Sequence, residues 1–418
     1  MRFIHAADLH IDSPLRGLDR YDGAPIERLR TATRSALERM VDKALAEHVD
    51  FVLLAGDIYD RDWQDFHTGL FFREQMVRLN RADIRVFIVQ GNHDAQGVIS
   101  RQLTLPPNVT VFSSRTAQTV HLDELSVAIH GRSFRERAED EDLVPTFPEL
   151  VPGCFNIGML HTSLSGRPGH DTYAPTDVST LTAKGYDYWA LGHVHAREVV
   201  SETPRIVFPG NLQGRHANET GPKGCELVSV EAGRVEAEFI PLDVVRWSQV
   251  VVALEGIDRL EALGEVFRSA LEPMLLGASD MLHAVRVTLT GSTHLHGIEA
   301  NQPGTLDAAI RAAAQDVSDA EIWIEQVQLD LTTPLDRTQA AQRQDAVGEL
   351  IRLVDSIGSD ELALKTLVQE ELGGLLSALP QEVAAGDVPQ MSDAADLLIL
   401  LRDAEATVLA RLAAGEGA

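Results

Sequence analysis

Five short polar motifs occur in order along the first 195 residues, and each contains residue types that bind metal ions. In chain order they are Asp8-Leu9-His10, Gly56-Asp57-Ile58-Tyr59-Asp60, Gly91-Asn92-His93-Asp94, His161, and Gly192-His193-Val194-His195. Together they supply carboxylate, imidazole and amide groups, including a carboxylate able to bridge two cations about 3.5 to 4 Å apart. The pattern indicates a centre that holds two divalent cations.

A short β-branched or aromatic run precedes each motif, and such runs are typical of buried strands. The predicted strands are 2–7, 51–55, 85–90, 126–130, 156–160, 186–191, 205–208 and 225–230, and the predicted early helices are 33–47 and 66–80. Strands that alternate with helices, followed by a strand-rich half, predict two packed sheets with helices outside. Ligands collect at the carboxyl ends of strands in such folds, so we expect the five motifs to converge.

The chain changes character after the last of these strands. The motif-bearing loops stop before residue 243, which predicts a first domain over 1–243. A strand at 249–254, a helix at 259–269 and a strand at 283–290 predict a small α+β domain over 244–335. Apolar residues at helical spacing in 339–379 and 392–413 predict two or three helices in a C-terminal region over 336–418.

Composition excludes several classes of protein. With 418 residues, 44% of them hydrophobic, the chain has enough apolar material for two or three cores and is not disordered. Its net charge of −27 argues against a protein that coats nucleic acid nonspecifically. Two cysteines are too few for a disulfide framework or a thiolate zinc site, so oxygen and nitrogen atoms must hold any metal. Without a long apolar run or signal-peptide features, we expect a cytoplasmic protein with no membrane association.

The five motifs resemble those of the calcineurin-like metallophosphoesterases, whose pattern is D-x-H, G-D-x-x-D, G-N-H-D or E, a lone His, and G-H-x-H. The resemblance implies an α/β (α+β) fold in which a four-layer αββα sandwich precedes a small α+β capping domain and a C-terminal helical region. It also implies that His93 is the catalytic histidine, oriented by Asp94, and that Asp60 supports the metal ligands. The implied ligands are Asp8, His10 and His195 for the first metal, Asn92, His161 and His193 for the second, and Asp57 as the bridge.

Four segments resemble more narrowly the DNA repair exonuclease branch of that family, which includes SbcD-like and YhaO-like nuclease subunits. The segments are 55–62, 161–164, 168–171 and 209–216. This branch implies a DNA exonuclease or endonuclease acting in DNA repair with two divalent cations, manganese being the first choice and iron or zinc the alternatives. It implies an SMC-like coiled-coil ATPase as a partner for the helical region, and it also implies a homodimer. The substrate contacts it implies are Arg61, Arg167, His170, Arg215 and His216.

Two other functions remain open at this point. The chain is alternatively a metal-dependent phosphatase or phosphodiesterase that acts on a small-molecule or protein phosphate ester. It is otherwise a regulatory or scaffolding subunit whose metals only stabilise the fold, although the intact His93 and Asp94 argue against that role.

Overall fold

The computed structural model describes residues 1–13, 23–60, 66–94, 104–165, 173–275, 280–317, 320–378 and 394–415. The chain divides into two compact units. The first consists of Met1–Ser248 with Ala278–Val285, and the second of Gln249–Gly277 with Arg286–Ala418.

The first sheet of the first unit is largely parallel. Its strands are β1 (Arg2–Ala6), β2 (Phe51–Ala55), β3 (Arg85–Val89), β4 (Val109–Val111), β11 (Gly224–Glu231) and β12 (Arg234–Pro241). They lie in the order β12-β11-β1-β2-β3-β4. Strands β1 to β4 run parallel, so their carboxyl ends share one edge, and β11 and β12 add an antiparallel hairpin beside β1.

The second sheet repeats this arrangement with a parallel centre. Its strands are β5 (Gln118–Leu122), β6 (Val127–Gly131), β7 (Phe155–His161), β8 (Tyr188–Gly192), β9 (Glu198–Glu202) and β10 (Arg205–Phe208). They lie in the order β5-β6-β7-β8-β10-β9, with β6, β7, β8 and β10 parallel and the edge strands antiparallel. The carboxyl ends of β7 and β8 are therefore adjacent.

The two sheets pack face to face, and helices cover their outer faces. Strand β1 shows the reason: Phe3 faces the core between the sheets, whereas its neighbour Ile4 packs in the core beneath the helices. Successive side chains point to opposite faces, and since both faces are covered, both must be apolar. The covering helices are α1 (Ile26–Ala46) and α2 (Phe66–Arg81) on the first sheet and α3 (Val178–Ala183) on the second. The expected four-layer α/β sandwich is thus confirmed.

A three-stranded sheet follows, made of β13 (Val245–Ala253), β14 (Leu282–Ser292) and β15 (Glu321–Thr332) in that order. The helices between its strands are α4 (Leu260–Leu275), α5 (Leu295–Asn301) and α6 (Thr305–Gln315). The chain then forms α7 (Arg337–Ala340), α8 (Ala346–Gly358), α9 (Glu361–Ala378) and α10 (Ala394–Gly415), which confirms a helical C-terminal region. No described helix combines the length and the apolar character that a membrane crossing needs.

The strands that the sequence pattern predicted lie within a few residues of their expected bounds, but other elements were not predicted. Helix α1 begins at Ile26 rather than at residue 33, because the buried Leu29 and Ala32 stand among charged residues that hide the apolar pattern. The elements that were not predicted are β4, β5, β9, β12, β15, α3, α5 and α6. Most of these strands lie at sheet edges with one face half exposed, so their apolar pattern is weak.

Candidate metal centre

The five motifs meet at one edge of the two packed sheets. The backbone N–H of Asp8 donates to the carbonyl of Gly56 at 3.0 Å, which joins the loops after β1 and β2. The N–H of His193, after β8, donates to both carboxylate oxygens of Asp8 at 3.0 and 3.1 Å. The N–H of His93, after β3, donates to Asp57 Oδ1 at 2.9 Å. Hydrogen bonds to the acidic ligands thus join loops from both sheets.

Four non-glycine motif residues adopt left-handed backbone conformations. The φ angles are +51° for Asp8, +42° for His10, +51° for Asp57 and +104° for His193. Non-glycine residues rarely adopt positive φ, and a conformation that costs energy persists only where the surroundings enforce it. The inter-loop hydrogen bonds supply that constraint and aim these side chains into the space between the loops.

Two motif glycines are required by close approach. A Cβ on Gly56, whose φ is +98°, would lie 2.2 Å from His161 Nδ1. A Cβ on Gly91 would lie 2.3 Å from Asp57 Oδ1. Any larger residue at these positions would displace a site side chain, so the glycines belong to the geometry of the site.

The first cluster consists of Asp8, His10 and His195, whose ligand atoms all lie within 4.8 Å of one another. The Nε2 atoms of His10 and His195 are 3.1 Å apart. In each ring Nδ1 lies beside a carboxylate: His10 Nδ1 is 2.9 Å from Asp60 Oδ1, and His195 Nδ1 is 2.6 Å from Glu219 Oε1. Because Nδ1 donates its proton to that carboxylate, both Nε2 lone pairs face each other, an arrangement that fits a shared cation.

The second cluster consists of Asp57, His161 and His193 and is fully buried. His161 Nδ1 donates to the carbonyl of Ala55 at 2.9 Å, which leaves Nε2 as the ligand atom. Nε2 lies 3.4 Å from Asp57 Oδ2 and 3.1 Å from Asn92 Oδ1. Acceptor atoms of three types therefore converge, again as a cation requires.

Asp57 lies between the two clusters. Its Oδ2 is 3.8 Å from His10 Nε2 and 3.4 Å from His161 Nε2. Burial opposes the ionisation of Asp57, yet the surrounding imidazoles outweigh burial and hold the pKa of this carboxyl below its ordinary value. Conversely, burial would lower the pKa of His161, but Asp57 and Asp8 raise it to about 9. The centre is built to hold positive charge.

A third group lies beside the first cluster and consists of His10, Asp60 and His93. Asp60 Oδ1 is 2.9 Å from His10 Nδ1 and 3.0 Å from His93 Nδ1. Burial opposes the ionisation of Asp60, but its hydrogen bonds with the two histidines keep its pKa low. The His93 side chain is 24% exposed, whereas that of His10 is 1% exposed. His93 therefore borders both the buried centre and solvent.

Comparison with known proteins agrees with this geometry. Residues 1–197 match the calcineurin-like phosphoesterase family, and residues 247–332 match the middle domain of the metallophosphoesterase YhaO. The chain is 35% identical over 334 residues to an uncharacterized metallophosphoesterase, YhaO, of Bacillus subtilis (strain 168), covering 79% of this chain and 81% of that protein. The chain belongs to the calcineurin-like metallophosphoesterase family. It is accordingly a metal-dependent phosphoester hydrolase, and members of its family bind two divalent metals.

Two solved structures are also similar to this phosphoesterase. A dimetal phosphatase from Danio rerio is 13% identical, covers 58% of this chain and 96% of its own, and gives a TM-score of 0.35. The protein TT1561 of Thermus thermophilus is 12% identical, covers 57% of this chain and 98% of its own, and gives a TM-score of 0.33.

The structure brings all the predicted metal ligands of this phosphoesterase into one centre, with Asn92 beside His161. The orienting role of Asp94 stays a prediction, and the contacts of its carboxylate in the structure are with backbone groups. Its carboxylate accepts hydrogen bonds from the backbone N–H groups of Ile58 and Tyr59, both at 3.1 Å, and of Gly91 at 3.3 Å. Burial, followed by the charge of Asp57, raises the pKa of Asp94 to about 7. Asp94 thus joins the loops after β2 and β3, while the carboxylate 3.0 Å from His93 Nδ1 belongs to Asp60.

The predicted substrate contacts have different positions. Arg61, Arg167 and His170 lie outside the described residues. Arg215 lies in the site, with its guanidinium beside Asp60 and Glu219. The side chain of His216 is 59% exposed, with Nε2 3.6 Å from Glu219. These roles in substrate binding stay predictions.

Sequence reasoning missed Glu219, which binds His195 Nδ1. Its other oxygen accepts hydrogen bonds from Asn211 Nδ2 at 3.0 Å and from the backbone N–H of Arg215 at 2.7 Å. Burial opposes its ionisation, but His195 and Arg215 outweigh burial and lower the pKa of Glu219. The sequence offered one signal, the proximity of Glu219 to the segment 209–216, since it belongs to none of the five motifs.

Proposed function

We propose that this metallophosphoesterase is a phosphodiesterase that cleaves DNA as an exonuclease or endonuclease in DNA repair. We further propose that it acts as the nuclease subunit of a complex with an SMC-like coiled-coil ATPase. The observation that carries the hydrolytic part is the position of His93, partly exposed beside a buried centre of seven candidate metal ligands.

The site residues divide the work of hydrolysis. When bound, the two divalent cations polarise phosphoryl oxygens and lower the pKa of water, which supplies a nucleophile at neutral pH. His93 Nδ1 lies 3.0 Å from Asp60 Oδ1, so Nε2 is the nitrogen available to a bound phosphoester. From there, His93 stabilises or protonates the departing oxygen as a general acid.

The DNA part of the proposal is supported by the regions beyond the sandwich. The chain continues into a segment that matches the YhaO middle domain and then into the helices α7 to α10. Hydrolysis of a small phosphate ester needs neither region. With a net charge of −27, the chain needs a partner to hold a DNA backbone, and the C-terminal helices are the proposed docking region for that ATPase.

One observation favours the alternative, a metal-dependent phosphatase or phosphodiesterase with a small-molecule or protein phosphate ester as substrate. Two arginines near the metal centre, Arg197 and Arg215, are already paired with carboxylates. Arg215 lies beside Asp60 and Glu219, and Arg197 is hydrogen-bonded to Glu226 at 2.5 Å. Arginine side chains that already neutralise protein carboxylates contribute less to the binding of a phosphate backbone.

The decisive test uses manganese-loaded protein, its His93→Ala variant and a His121→Gln control, in which an exposed imidazole of β5 changes. Substrates are labelled single- and double-stranded DNA, bis-nitrophenyl phosphate and nitrophenyl phosphate. We expect diester cleavage by the wild type and the control, DNA cleavage by both when the ATPase partner is added, and a loss of about 100-fold or more in His93→Ala. Hydrolysis of nitrophenyl phosphate alone, even with the ATPase partner added, would support the phosphatase instead.

The metal and the assembly are proposals that the same protein can test. We propose manganese as the activating metal, and expect higher diesterase activity in protein reconstituted with Mn²⁺ than with Fe²⁺ or Zn²⁺. Light scattering of the full chain measures whether it forms the proposed homodimer.

A further inference from the structure

Arg215 lies between two carboxylates that each hold a histidine of the metal centre. Its Nη1 is 3.6 Å from Asp60 Oδ2, and its Nη2 is 3.1 Å from Glu219 Oε1. Asp60 in turn binds the Nδ1 atoms of His10 and His93, and Glu219 binds that of His195. One guanidinium therefore connects the two carboxylates behind the first metal cluster.

From this geometry we infer that Arg215 is a positioning residue of the metal centre, not a ligand of the substrate phosphate. Through Asp60 and Glu219 it holds the imidazoles of His10 and His195 in the orientation that the first metal needs. The inference rests on the phosphoester-hydrolase function of the chain and is independent of whether the substrate is DNA.

The charges explain why the position requires a cation. Asp60 and Glu219 are both largely buried, with side chains 14% and 8% exposed. Buried anions are costly unless they are paired and hydrogen-bonded. Without Arg215 both carboxylates would lose the guanidinium that pairs with them, and the imidazoles that they hold would lose part of their support.

The shape of the side chain explains why the cation is an arginine. A guanidinium presents several N–H donors in a planar fork, and here its two terminal nitrogens face different carboxylates. The Arg215 side chain is 16% exposed, so most of it is already packed in the site. A lysine ammonium is a single point charge and cannot face both carboxylates in this way.

Glu219 is fixed independently of the guanidinium, which makes the pair separable by mutation. Its Oε2 accepts hydrogen bonds from Asn211 Nδ2 and from the backbone N–H of Arg215. The backbone N–H persists in any variant at position 215 except proline. Loss of the Arg215 side chain therefore removes the guanidinium charge and its contacts with the two carboxylates. The main-chain hydrogen bond from residue 215 to Glu219 remains.

The test compares Arg215→Gln and Arg215→Lys with the wild type and with Arg286→Gln as a matched control. Arg286 forms a bidentate salt bridge with Glu325 at 2.7 and 2.8 Å, and its side chain is 20% exposed. It belongs to the second compact unit, which contributes none of the five motifs. Mn²⁺ binding to metal-free protein is measured by calorimetry without substrate. Steady-state kinetics on bis-nitrophenyl phosphate then give kcat and KM separately.

For both Arg215 variants we expect Mn²⁺ affinity at one site to fall by about 10- to 100-fold, with lower kcat and nearly unchanged KM at saturating metal. The control should bind Mn²⁺ as the wild type does. A raised KM with unchanged kcat and unchanged Mn²⁺ affinity would overturn the inference, because it would place Arg215 on the substrate.

A double-variant cycle with Glu219→Gln keeps the inference testable if Arg215→Gln unfolds. Glutamine at 219 still accepts the proton of His195 Nδ1 but no longer needs a cation. Arg215→Lys should therefore cost less Mn²⁺ affinity in the Glu219→Gln background than in the wild type, whereas strictly additive losses would contradict the coupling. Because Mn²⁺ binding needs no substrate, a wild type inactive on DNA even with the ATPase partner added would refute the nuclease proposal and leave this result standing.

Discussion

The two metal clusters are held in place by different parts of the protein. In the first cluster, the imidazoles of His10 and His195 donate to side-chain carboxylates, those of Asp60 and Glu219. In the second, His161 donates to a backbone carbonyl, that of Ala55 at the end of β2. One cluster thus depends on charged side chains contributed by loops, and the other on the sheet itself.

The difference has consequences for how each cluster responds to change. A carboxylate behind an imidazole raises its basicity and depends on charge balance, so the first cluster should respond to mutation of polar residues. A carbonyl in a strand is fixed by the ladder of the sheet, so the second cluster should respond to steric change. Asp57 belongs to both, because one of its oxygens lies within 4 Å of an imidazole of each cluster.

The largest expected effect comes from removing the shared carboxylate. Asp57→Asn should abolish tight binding of both metals and lower kcat by more than about 1,000-fold, because the metals supply several kcal/mol of transition-state stabilisation. Calorimetry with Mn²⁺ and diesterase assays measure both quantities. Loss of only one metal would show that Asp57 is not shared between the clusters.

A smaller effect, confined to the first cluster, is expected from Asp60→Ala. Loss of the carboxylate frees the rings of His10 and His93, and we expect a drop in affinity of about 10- to 100-fold for one metal while the other binds normally. Asp42→Ala, which removes the exposed partner of Arg78, is the control. An equal loss at both sites would contradict the separation of the clusters.

The second cluster should instead be sensitive to Gly56→Ala. The added Cβ would overlap His161 and also meet a φ of +98°, whereas Gly153, with a φ of +82°, has open space around its Cβ position. Gly153→Ala should cost about 1 to 2 kcal/mol of backbone strain alone. Gly56→Ala should lose more stability, together with several-fold affinity for one metal. Equal effects in the two variants, by urea unfolding and Mn²⁺ titration, would exclude the steric contribution.

The smallest effect on metal binding is expected from a change at His5, a buried imidazole of the same sheets whose nitrogens are not available to a metal. His5 binds Tyr188 Oη at 3.0 Å through Nδ1 and the carbonyl of Leu191 at 3.1 Å through Nε2, so both nitrogens are occupied. Burial lowers the pKa of His5 from 6.5 to about 3. Between these two pH values His5 binds a proton in the unfolded chain but not in the folded chain. The free energy of unfolding should therefore decline as pH falls from about 6.5 to about 3, by at most about 1.4 kcal/mol per pH unit.

His5→Gln tests this contribution without touching either cluster. Its urea midpoint should fall less steeply between pH 7 and pH 4 than that of the wild type, and Mn²⁺ affinity should stay unchanged. The exposed His121→Gln should follow the wild-type slope. Identical slopes in all three proteins would show that His5 does not contribute to acid instability.

The sequence by itself determined the strands of the sandwich and the residues at their ends. Runs such as Phe51–Ala55 are apolar on both faces because helices cover one side and the other sheet covers the second. The motif residues follow these strands directly, so their convergence at one edge follows from parallel strand direction alone. This is why the metal ligands could be named from local patterns.

Only the tertiary structure decided which groups stand behind the ligands. Glu219 is 24 residues from His195 and belongs to none of the five motifs, so no local pattern indicated it, whereas Asp60 was expected to support the ligands only through the family resemblance. Arg215 looked like a phosphate contact in the sequence, yet the fold places it between two carboxylates. A ligand must follow a rigid strand, whereas a supporting charge can arrive from any loop that closes over the site, and loop closure is a property of the folded chain.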